Sequence, residues 1–239
     1  MKKFTLPLLV ASVVILIVAC SATDCIKGSG NMTSEDRNVS GYSKLDVGGC
    51  FEVKITQGNT ESLRIEAEDN IIKHVVTEVQ NGVLHIHLDK SICKVKELIV
   101  FVNVKTLDAI KASGAAEIKT TNQLNNSDKF DLKISGAGEA DMDIETKLLT
   151  TKISGAGELK LKGKADTHAV DISGAGEVNA YNFMVNKYAL DLSGASECFI
   201  NVSEELSVTA SGASEVNYKG NPTKVSKETS GASEINKVN

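Results

Sequence analysis

Residues 135–177 read SGAGEADMDIETKLLTTKISGAGELKLKGKADTHAVDISGAGE, and the pentapeptide SGAGE occurs in this stretch three times, 19 residues apart. Related pentapeptides lie before and after it: SGAAE at 113, and SGASE at 193, 211 and 230. Ser, Gly, Ala and Glu occupy positions one, two, three and five of all seven copies, whereas position four is Ala, Gly or Ser. A repeat with a period near 20 residues is typical of solenoids, in which each repeat contacts only its neighbours.

The residues on either side of each pentapeptide alternate between apolar and polar side chains, as in half-buried strands. Leu132 and Ile134 precede one copy on the same face, and Leu159 and Leu161 follow the next copy. Each repeat therefore predicts a strand, a corner and a second strand. A second bend is expected where turn residues occur, at KGKAD (162–166), NVSEE (201–205) and KGNP (219–222). Stacked repeats would form parallel sheets around one apolar core, which is an all-β parallel β-helix.

The pentapeptide is predicted to be a tight corner that recurs at the same height in every coil. Its first Gly fits a position that needs positive φ, or one where stacked backbones leave no room for a Cβ atom. The following Ala fits a cramped column, and position four accepts Ser, so it does not require a conformation open only to Gly. The corner residues that we predict in the three SGAGE copies are Ser135, Gly136, Glu139, Ser154, Gly155, Glu158, Ser173, Gly174 and Glu177.

Stacking would align one Glu from each coil into a ladder, which contains residues 117, 139, 158, 177, 197, 215 and 234. Two carboxylates about 4.8 Å apart repel by about 1 kcal/mol in bulk water and by about 3–4 kcal/mol at an effective dielectric constant near 20. The ladder is therefore expected to be solvated, hydrogen-bonded to Ser hydroxyls or backbone amides, paired with Lys, or bridged by cations. Calcium suits repeated oxygen ligands, but one carboxylate per coil favours a structural role, and we predict no metal and no cofactor.

The first twenty residues form a separate unit. Lys2 and Lys3 precede an apolar run that ends in IVAC at 17–20, which predicts a signal peptide over residues 1–19. The IVAC sequence resembles the lipobox of bacterial lipoproteins, which implies cleavage before Cys20 and a lipid on that residue. Ser21 stands where an Asp would favour retention in the inner membrane, so an outer-membrane lipoprotein, on the surface or the periplasmic side, is expected.

The net charge of the chain limits the kinds of partner that it can bind. The net charge is -5, with no basic stretch of the kind that binds nucleic-acid phosphates, so nucleic acid is not expected as a partner. Export would allow disulfides among Cys25, Cys50, Cys93 and Cys198, but the spacing assigns no pairing, and Cys50 and Cys198 are equally well interpreted as small buried side chains.

Histidines add no clear catalytic pattern. His85 and His87 in VLHIHL would lie on one strand face together with Val83, which favours structural or surface histidines over a metal pair. His74 and His168 are isolated in the sequence.

The predicted organisation has three parts. After the signal peptide, residues 20–42 are polar and predict a lipidated tether with loose structure. Residues 43–239 predict the β-helical domain, with less regular coils over 43–112 and regular repeats over 113–239. VGGCFEV (47–53) is interpreted as a degenerate corner, and Asn81-Gly82 predicts a turn before VLHIHL. The segment 69–80 fits a helical turn or a strand.

A set of motifs resembles one known family. GSGN at 28–31 with Glu35 and Arg37, LDVGGCFEVKITQG at 45–58, VLHIHL, the serial corners and VNYKGNPTKVSKETSGASEI at 216–235 are together similar to the putative auto-transporter adhesin head (GIN) domain family. The resemblance covers about residues 28–239. It implies exported, often lipidated proteins, frequent in Bacteroidetes, with a right-handed β-helical fold, and it supplies no catalytic or ligand residues.

Three functional hypotheses follow. The first is a non-enzymatic cell-envelope adhesin or binding module, tethered to the membrane by the lipid, whose faces suit a glycan or a protein ligand. The second is a periplasmic structural or scaffold lipoprotein that forms a homo-oligomer, because the C-terminal coil would need a cap or a partner. The third, a polysaccharide-active enzyme, is disfavoured because identical carboxylates in every coil do not form the unlike pair that such chemistry needs.

Overall fold

The computed structural model describes residues 25–126 and 128–238 of the chain. Apart from one 3-10 turn, its regular elements are all strands, and coils of about 19 residues stack into a β-solenoid of about seven turns. The predicted all-β solenoid is thereby confirmed. Its strands are β1 (Ile26–Lys27), β2 (Met32–Arg37), β3 (Lys44–Gly49), β4 (Glu52–Gln57), β5 (Ser62–Glu68), β6 (Val75–Gln80), β7 (Val83–Leu88), β8 (Ile92–Lys94), β9 (Leu98–Val104), β10 (Ala109–Gly114), β11 (Glu117–Thr120), β12 (Leu124–Asn125), β13 (Lys129–Gly136), β14 (Glu139–Gly155), β15 (Glu158–Gly174), β16 (Glu177–Gly194), β17 (Glu197–Gly212), β18 (Glu215–Lys219), β19 (Lys224–Thr229) and β20 (Glu234–Lys237).

Two flanks run along the stack and meet at the pentapeptide, which we call the first corner. Flank A consists of the strands before the corner, namely β7, β3, β10, β13, the C-terminal halves of β14 to β17, and β19, all in parallel. Flank B consists of the strands after it, namely β9, β4, β11, the N-terminal halves of β14 to β17, β18 and β20. The long strands β14 to β17 bend from flank B into flank A and therefore belong to both.

The core lies between the flanks and is built from the alternating positions that the sequence indicated. On flank A, Leu132 and Ile134 are buried while Lys133 between them is exposed. On flank B, Leu159 and Leu161 are buried in the same way. Because each coil contributes only a few side chains, the apolar core is continuous along the stack and no coil has a core of its own.

Residues 44–106 continue the same stack, as the degenerate corner indicated. Gly49 lies in register with Gly114, and Glu52 with Glu117. Beyond β7 and β9 the pairing becomes antiparallel, because β6 joins β7 and β5 joins β9. The segment 69–80 contains both predicted structures, a 3-10 turn at Ile72–His74 followed by β6, and Asn81 and Gly82 both have positive φ in the turn before β7.

The segment for which we predicted a loose tether contains two strands within its described part, 25–42. Strand β2 pairs with β5 in antiparallel orientation, and Cys25 forms a disulfide with Cys93. The GSGN motif is held by Glu68, whose buried carboxylate accepts hydrogen bonds from the Gly30 amide (2.9 Å) and the Lys96 amide (3.0 Å). A Cβ atom on Gly28 would lie 2.0 Å from that carboxylate, which explains the first Gly of GSGN.

Coil length varies at the second corner, where each long strand bends between the flanks. Strands β14 and β15 keep the same register through this bend, whereas the pairings of β15 with β16 and of β16 with β17 shift register in this region. Gly163 and Gly220, from the predicted KGKAD and KGNP bends, both have positive φ. Before every first corner, the residues of adjacent coils again pair one to one. The first corners therefore stay aligned along the stack.

The last described coil carries polar side chains at positions that face the core in earlier coils. Lys227 lies in register with buried Val208, and Lys237 with Tyr218. The Lys227 ammonium lies 5.6 Å from the Tyr218 ring centre and donates to the carbonyl of Ile235 at 3.0 Å. These lysines place polar groups over part of the end of the apolar core, whereas Val225, in register with buried Leu206, stays apolar and exposed.

Candidate functional site

The predicted corner residues lie in straight columns along the solenoid. Ser135, Ser154 and Ser173 are in register, and the same holds for the Gly and Glu residues of these copies. Gly155 and Gly174 have φ values of 106° and 124°, and a Cβ atom on Gly174 would lie 2.4 Å from the carbonyl oxygen of Gly155. Both reasons that the sequence offered for this glycine, positive φ and the close approach of stacked backbones, therefore apply.

The third and fourth corner positions differ from the expectation. The third residue is exposed in the stacked copies, as at Ala156, so it does not fill a cramped column. The fourth residue is the buried one, and a Cβ atom on Gly157 would lie 2.8 Å from Cγ2 of Ile134 and 3.0 Å from Cγ2 of Ile153.

Glycine at the fourth position occurs together with Ile just before the corner. This β-branched residue stands at 134, 153 and 172. Ser196 follows the corner that Leu192 precedes, and Ser214 follows the corner that Ala210 precedes. At the three corners with Ile, core packing restricts the fourth position to Gly, because the Ile Cγ2 atom takes the space that a larger side chain would need.

Hydrogen bonds join each corner to the preceding one. The Ala156 amide donates to the carbonyl of Gly136 (2.8 Å), and the Glu158 amide donates to the carbonyl of Gly138 (3.0 Å). The hydroxyl of Ser135 donates to the carbonyl of Ala112, and that of Ser193 to the carbonyl of Ile172. These bonds leave the Ser and Glu columns as the polar edges of the corner, Ser on flank A and Glu on flank B.

The Glu ladder is present and extends one residue further than predicted, to Glu52. In its first part, lysines stand two residues after Glu52, Glu117 and Glu158, and Asp141 stands two residues after Glu139. Lys160 contacts Glu158 (2.7 Å) and Glu139 (3.1 Å), and Lys119 contacts Glu117 and Glu52. The hydrogen bonds that the Lys160 ammonium donates to Glu158 and Glu139 raise its pKa above its usual value, and the hydrogen bond that Lys119 donates to Glu117 raises the pKa of Lys119.

The later part of the ladder has different neighbours. Asn179, Phe199 and Asn217 stand where the first part has lysine, and Glu215 accepts a hydrogen bond from Asn217 at 2.8 Å. Burial, and then the carboxylates of Glu197 and Glu215, raise the pKa of the Tyr181 phenol nearby. Lysine pairing and solvation, two of the arrangements that the sequence left open, thus both occur along one ladder.

Flank A carries a second charged column, which the sequence analysis did not recognise. Lys111, Lys133 and Lys152 lie in register in three adjacent coils, and we call them the lysine strip. The column continues into Asp46 on one side and Asp171 on the other. A groove of about 300 Å³ runs between the strip and the Ser column, and its lining contains the three lysines, Asp171, Ile134, Ile153, Ser135, Ser154 and Ser173. The signal was the single Lys or Asp two residues before each corner, which becomes a column only after stacking.

Histidine, cysteine and carboxylate side chains are the groups that could form a metal site. Within residues 25–126 and 128–238, no three His, Cys, Asp or Glu side chains lie close enough together to hold an ion. His85 and His87 lie on the outer side of β7 with Val83, as expected, and His85 Nδ1 is 3.5 Å from Asp46. Cys50 is exposed and so does not fit the interpretation as a buried side chain, whereas Cys198 is buried.

A buried polar cluster inside the core was missed by sequence reasoning. The His168 ring is fully buried, and its Nε2 atom lies 2.8 Å from Thr151 Oγ1. Its ring centre is 5.7 Å from that of Phe183 and 5.0 Å from that of Tyr188. Burial lowers the pKa of His168 to about 3 and raises that of Cys198 to about 12. The signal existed, because His168 has the same alternation phase as the buried residues Val170 and Ile172.

The predicted signal peptide (1–19) and lipidation site (Cys20) lie outside the described residues. Over the described part of the chain, no helix is long and apolar enough to serve as a membrane span.

Comparison with known proteins gives one family. The family described as "Putative auto-transporter adhesin, head GIN domain" matches residues 41–222. Curated protein sequences give no match.

Several solved structures are similar to this chain. A putative adhesin from Bacteroides fragilis has 26% sequence identity and a TM-score of 0.82, over 89% of this chain and 100% of that chain. A putative adhesin from Parabacteroides merdae has 20% identity and a TM-score of 0.72, over 91% and 100%. A protein from Parabacteroides distasonis, called a putative lipid binding protein, has 21% identity and a TM-score of 0.69, over 90% and 99%. At these identities the two Parabacteroides structures establish a shared fold.

Proposed function

This chain belongs to the putative auto-transporter adhesin head (GIN) domain family, and from that membership we propose that it is a non-enzymatic adhesin or binding module of the cell envelope. The observation that carries the proposal is the geometry of the flanks. Side chains two residues apart on each strand stand in columns that run through adjacent coils in register. Such surfaces suit an extended partner, because a repeated array can make the same weak contact many times.

The anchor in this proposal is a lipid on Cys20. The IVAC sequence at 17–20 supports it, as does the polar stretch between Cys20 and the first described strand. The disulfide between Cys25 and Cys93 is consistent with export, because disulfides persist in oxidising compartments. We place the protein in the outer membrane with the solenoid at the cell surface.

The location can be tested by protease treatment of intact cells that express the full chain, with a known periplasmic protein as the control. A surface adhesin is expected to be digested while the periplasmic control stays intact. Protection of the chain until the cells are lysed would contradict surface display and would favour the periplasmic scaffold.

The lipid anchor is tested separately with the Cys20→Ser variant. Wild-type protein is expected to incorporate labelled fatty acid and to partition into the membrane fraction, whereas the variant should do neither. Equal labelling of both proteins would show that the lipid is not on Cys20.

A further inference from the structure

We propose that a pocket at the second corner of β14, β15 and β16 binds one or two units of a neutral glycan. The inference deepens the proposed function, on which it rests for its biological setting, because it names the ligand class and the site. The pocket has a volume of about 350 Å³. We call it the corner pocket, and its two rims are formed by Glu145, Lys164 and Met184 on one side and by Lys147, Asp166 and Asn186 on the other.

The stacking register forms the two rims. Glu145 pairs with Lys164, and Lys164 with Met184, so the first rim joins three adjacent coils. The second rim lies two residues further along the same strands, and its side chains therefore project to the same side of the chain. Ala165 lies between the rims and is buried, and its small side chain leaves space for a ligand at the floor of the pocket.

The charges of the corner pocket select against ions. Lys164 contacts Glu145 at 2.9 Å and Lys147 contacts Asp128 at 3.1 Å, so both lysines already face a carboxylate and neither is left for an anion. A cation in the pocket would lie close to the same two ammonium groups, which repel it. A ligand without net charge meets neither penalty.

Asp166 and Asn186 supply hydrogen-bonding groups that the protein itself leaves unused. The Asp166 carboxylate makes no ion pair and no side-chain hydrogen bond with any described residue, although Lys147 belongs to the same rim. The Asn186 side chain accepts a hydrogen bond from the Ser203 hydroxyl at 3.0 Å through its oxygen, which leaves its amide nitrogen as a donor. A carboxylate accepts hydrogen bonds from two adjacent hydroxyls, and an amide donates to a third, which is the pattern that a sugar ring offers.

Met184 gives the first rim an apolar surface. It is 57% exposed, more than Met32 or Val225, the other exposed large apolar side chains in the described part of the chain. The cause is a change in coil length, because residues 181–183 of β16 have no partner in β17 and the side chain beside this gap is not covered. A flexible thioether packs well against the C–H groups of a sugar ring, whose hydroxyls then point to the opposite rim.

The size of the corner pocket favours a short ligand. Its volume of about 350 Å³ is near the lower end of the range of roughly 300–1,000 Å³ found for small-ligand pockets. Asn126, in the preceding coil, bounds one end, and its amide is held in place by the carbonyl of Leu107 (2.9 Å) and by Asp108 (3.1 Å). The pocket therefore fits the end of a glycan better than a long stretch of polymer.

The test follows the Met184 methyl group by NMR in the purified full chain with isotope-labelled methionine methyl groups. Met32 and Met142 are internal references, because neither of them lines the pocket. The neutral probes are glucose, galactose, mannose, N-acetylglucosamine, lactose and cellobiose, and the charged counterparts are glucuronic acid and glucosamine. The detergent carries no sugar headgroup, since such a headgroup would compete with the probes.

The informative variant is Asp166→Ala, which removes the unpaired carboxylate of the pocket. The matched control is Asp191→Ala, because Asp191 is also an exposed carboxylate but lies on flank A, outside the corner pocket. Thermal unfolding of both variants and of wild type verifies that all three proteins are folded.

At least one neutral probe is expected to shift the Met184 signal, and not those of Met32 and Met142, with a Kd of about 1 mM, as for a small ligand held by a few contacts. Binding should weaken on the order of tenfold in Asp166→Ala, since hydrogen bonds to a charged group are lost, and stay within about twofold in Asp191→Ala. No shift with any neutral probe, equal or stronger binding of glucuronic acid or glucosamine, or equal losses in the two variants would each overturn the inference.

The outcome is separable from that of the proposed function. Digestion of the protein on intact cells, together with an unchanged Met184 signal in the presence of every neutral probe, would overturn this inference and leave surface display intact. Protection on intact cells would contradict surface display, while the purified proteins would still decide whether the corner pocket binds a neutral sugar.

Discussion

The second residue of the corner has very little conformational freedom. Gly174 combines a φ of 124° with a neighbouring carbonyl oxygen at the place where a Cβ atom would lie. Neither condition can be relieved by a side-chain rotation, because both involve backbone atoms. The fourth residue is different, since its neighbour is the end of an Ile side chain, which can be replaced by a smaller one, as Ala210 shows.

We expect Gly174→Ala to lower the free energy of unfolding by about 2–4 kcal/mol, since it adds backbone strain and a contact with the Gly155 carbonyl. Gly58→Ala is the matched control, because Gly58 has no positive φ and an added Cβ atom would meet nothing within 4 Å. Urea unfolding measures both. Similar effects of the two substitutions would contradict the role assigned to the corner glycine.

His168 is expected to make stability depend on pH. Burial lowers its pKa from 6.5 to about 3, so the folded protein holds the ring neutral while the unfolded chain binds a proton below pH 6.5. Titration of His168 therefore leaves the free energy of unfolding at its full value above pH 6.5, and lowers it progressively as the pH falls towards 3. Wild type should lose about 1.5 kcal/mol more than His168→Phe between about pH 6.5 and pH 5.

Urea unfolding of both proteins at several pH values tests this. The comparison with His168→Phe removes the contribution of the carboxylates, which titrate in both proteins. Parallel pH profiles would show that His168 is solvated or protonated in the folded state.

At the scale of the element, the two corners of a coil have different tolerances. The first corner is aligned with its neighbours by backbone hydrogen bonds from the third and fifth residues, as at Ala175 and Glu177. The second corner shifts register between some coils and includes the unequal segments between Ala180 and Met184. The variation in spacing between successive pentapeptides is therefore absorbed at the second corner.

An inserted residue should reveal this difference. One Ser inserted between Tyr181 and Asn182, in the irregular part of β16, is expected to cost about 1 kcal/mol or less, because loop length affects stability weakly. One Ser inserted between Ala175 and Gly176 should cost roughly 3 kcal/mol or more, because it breaks corner hydrogen bonds and moves core side chains to the wrong face. Thermal and urea unfolding compare the two, and a larger loss for the first insertion would contradict this account.

At the scale of the whole molecule, the two ends of the stack are protected in different ways. At the N-terminal end β2 lies at the edge of flank B, and its sequence MTSEDR is charged and exposed, which disfavours pairing with another sheet edge. At the other end, Lys227 and Lys237 take positions that are apolar in earlier coils. These lysines give this end a partial polar cover, and the homo-oligomer that the sequence suggested stays a prediction.

Removal of the polar cover should promote association. K227V/K237V is expected to shift the mass measured by light scattering towards dimers at high concentration, because it extends the apolar core to an open sheet end. K147V/K164V, which changes two exposed lysines on the side of the solenoid, is the control and should leave the mass unchanged. If neither or both variants associate, the lysines do not act as a cap.

The sequence by itself determined the features that repeat. The seven pentapeptides predicted the corners, the alternation predicted which side chains enter the core, and Gly49 with Glu52 indicated that the stack begins before the regular repeats. These predictions succeeded because they depend on local geometry, the positive φ of one glycine and the twofold period of a strand.

Only the tertiary structure decided which side chains of different coils become neighbours. The lysine strip, the contact of His168 with Thr151, and the docking of the GSGN motif on Glu68 all join residues from separate strands. Their relative positions depend on register and on the length absorbed at each second corner, and no single repeat contains that information. Stacking places one charged residue of each coil beside those of its neighbours, and this column exists only in the folded chain.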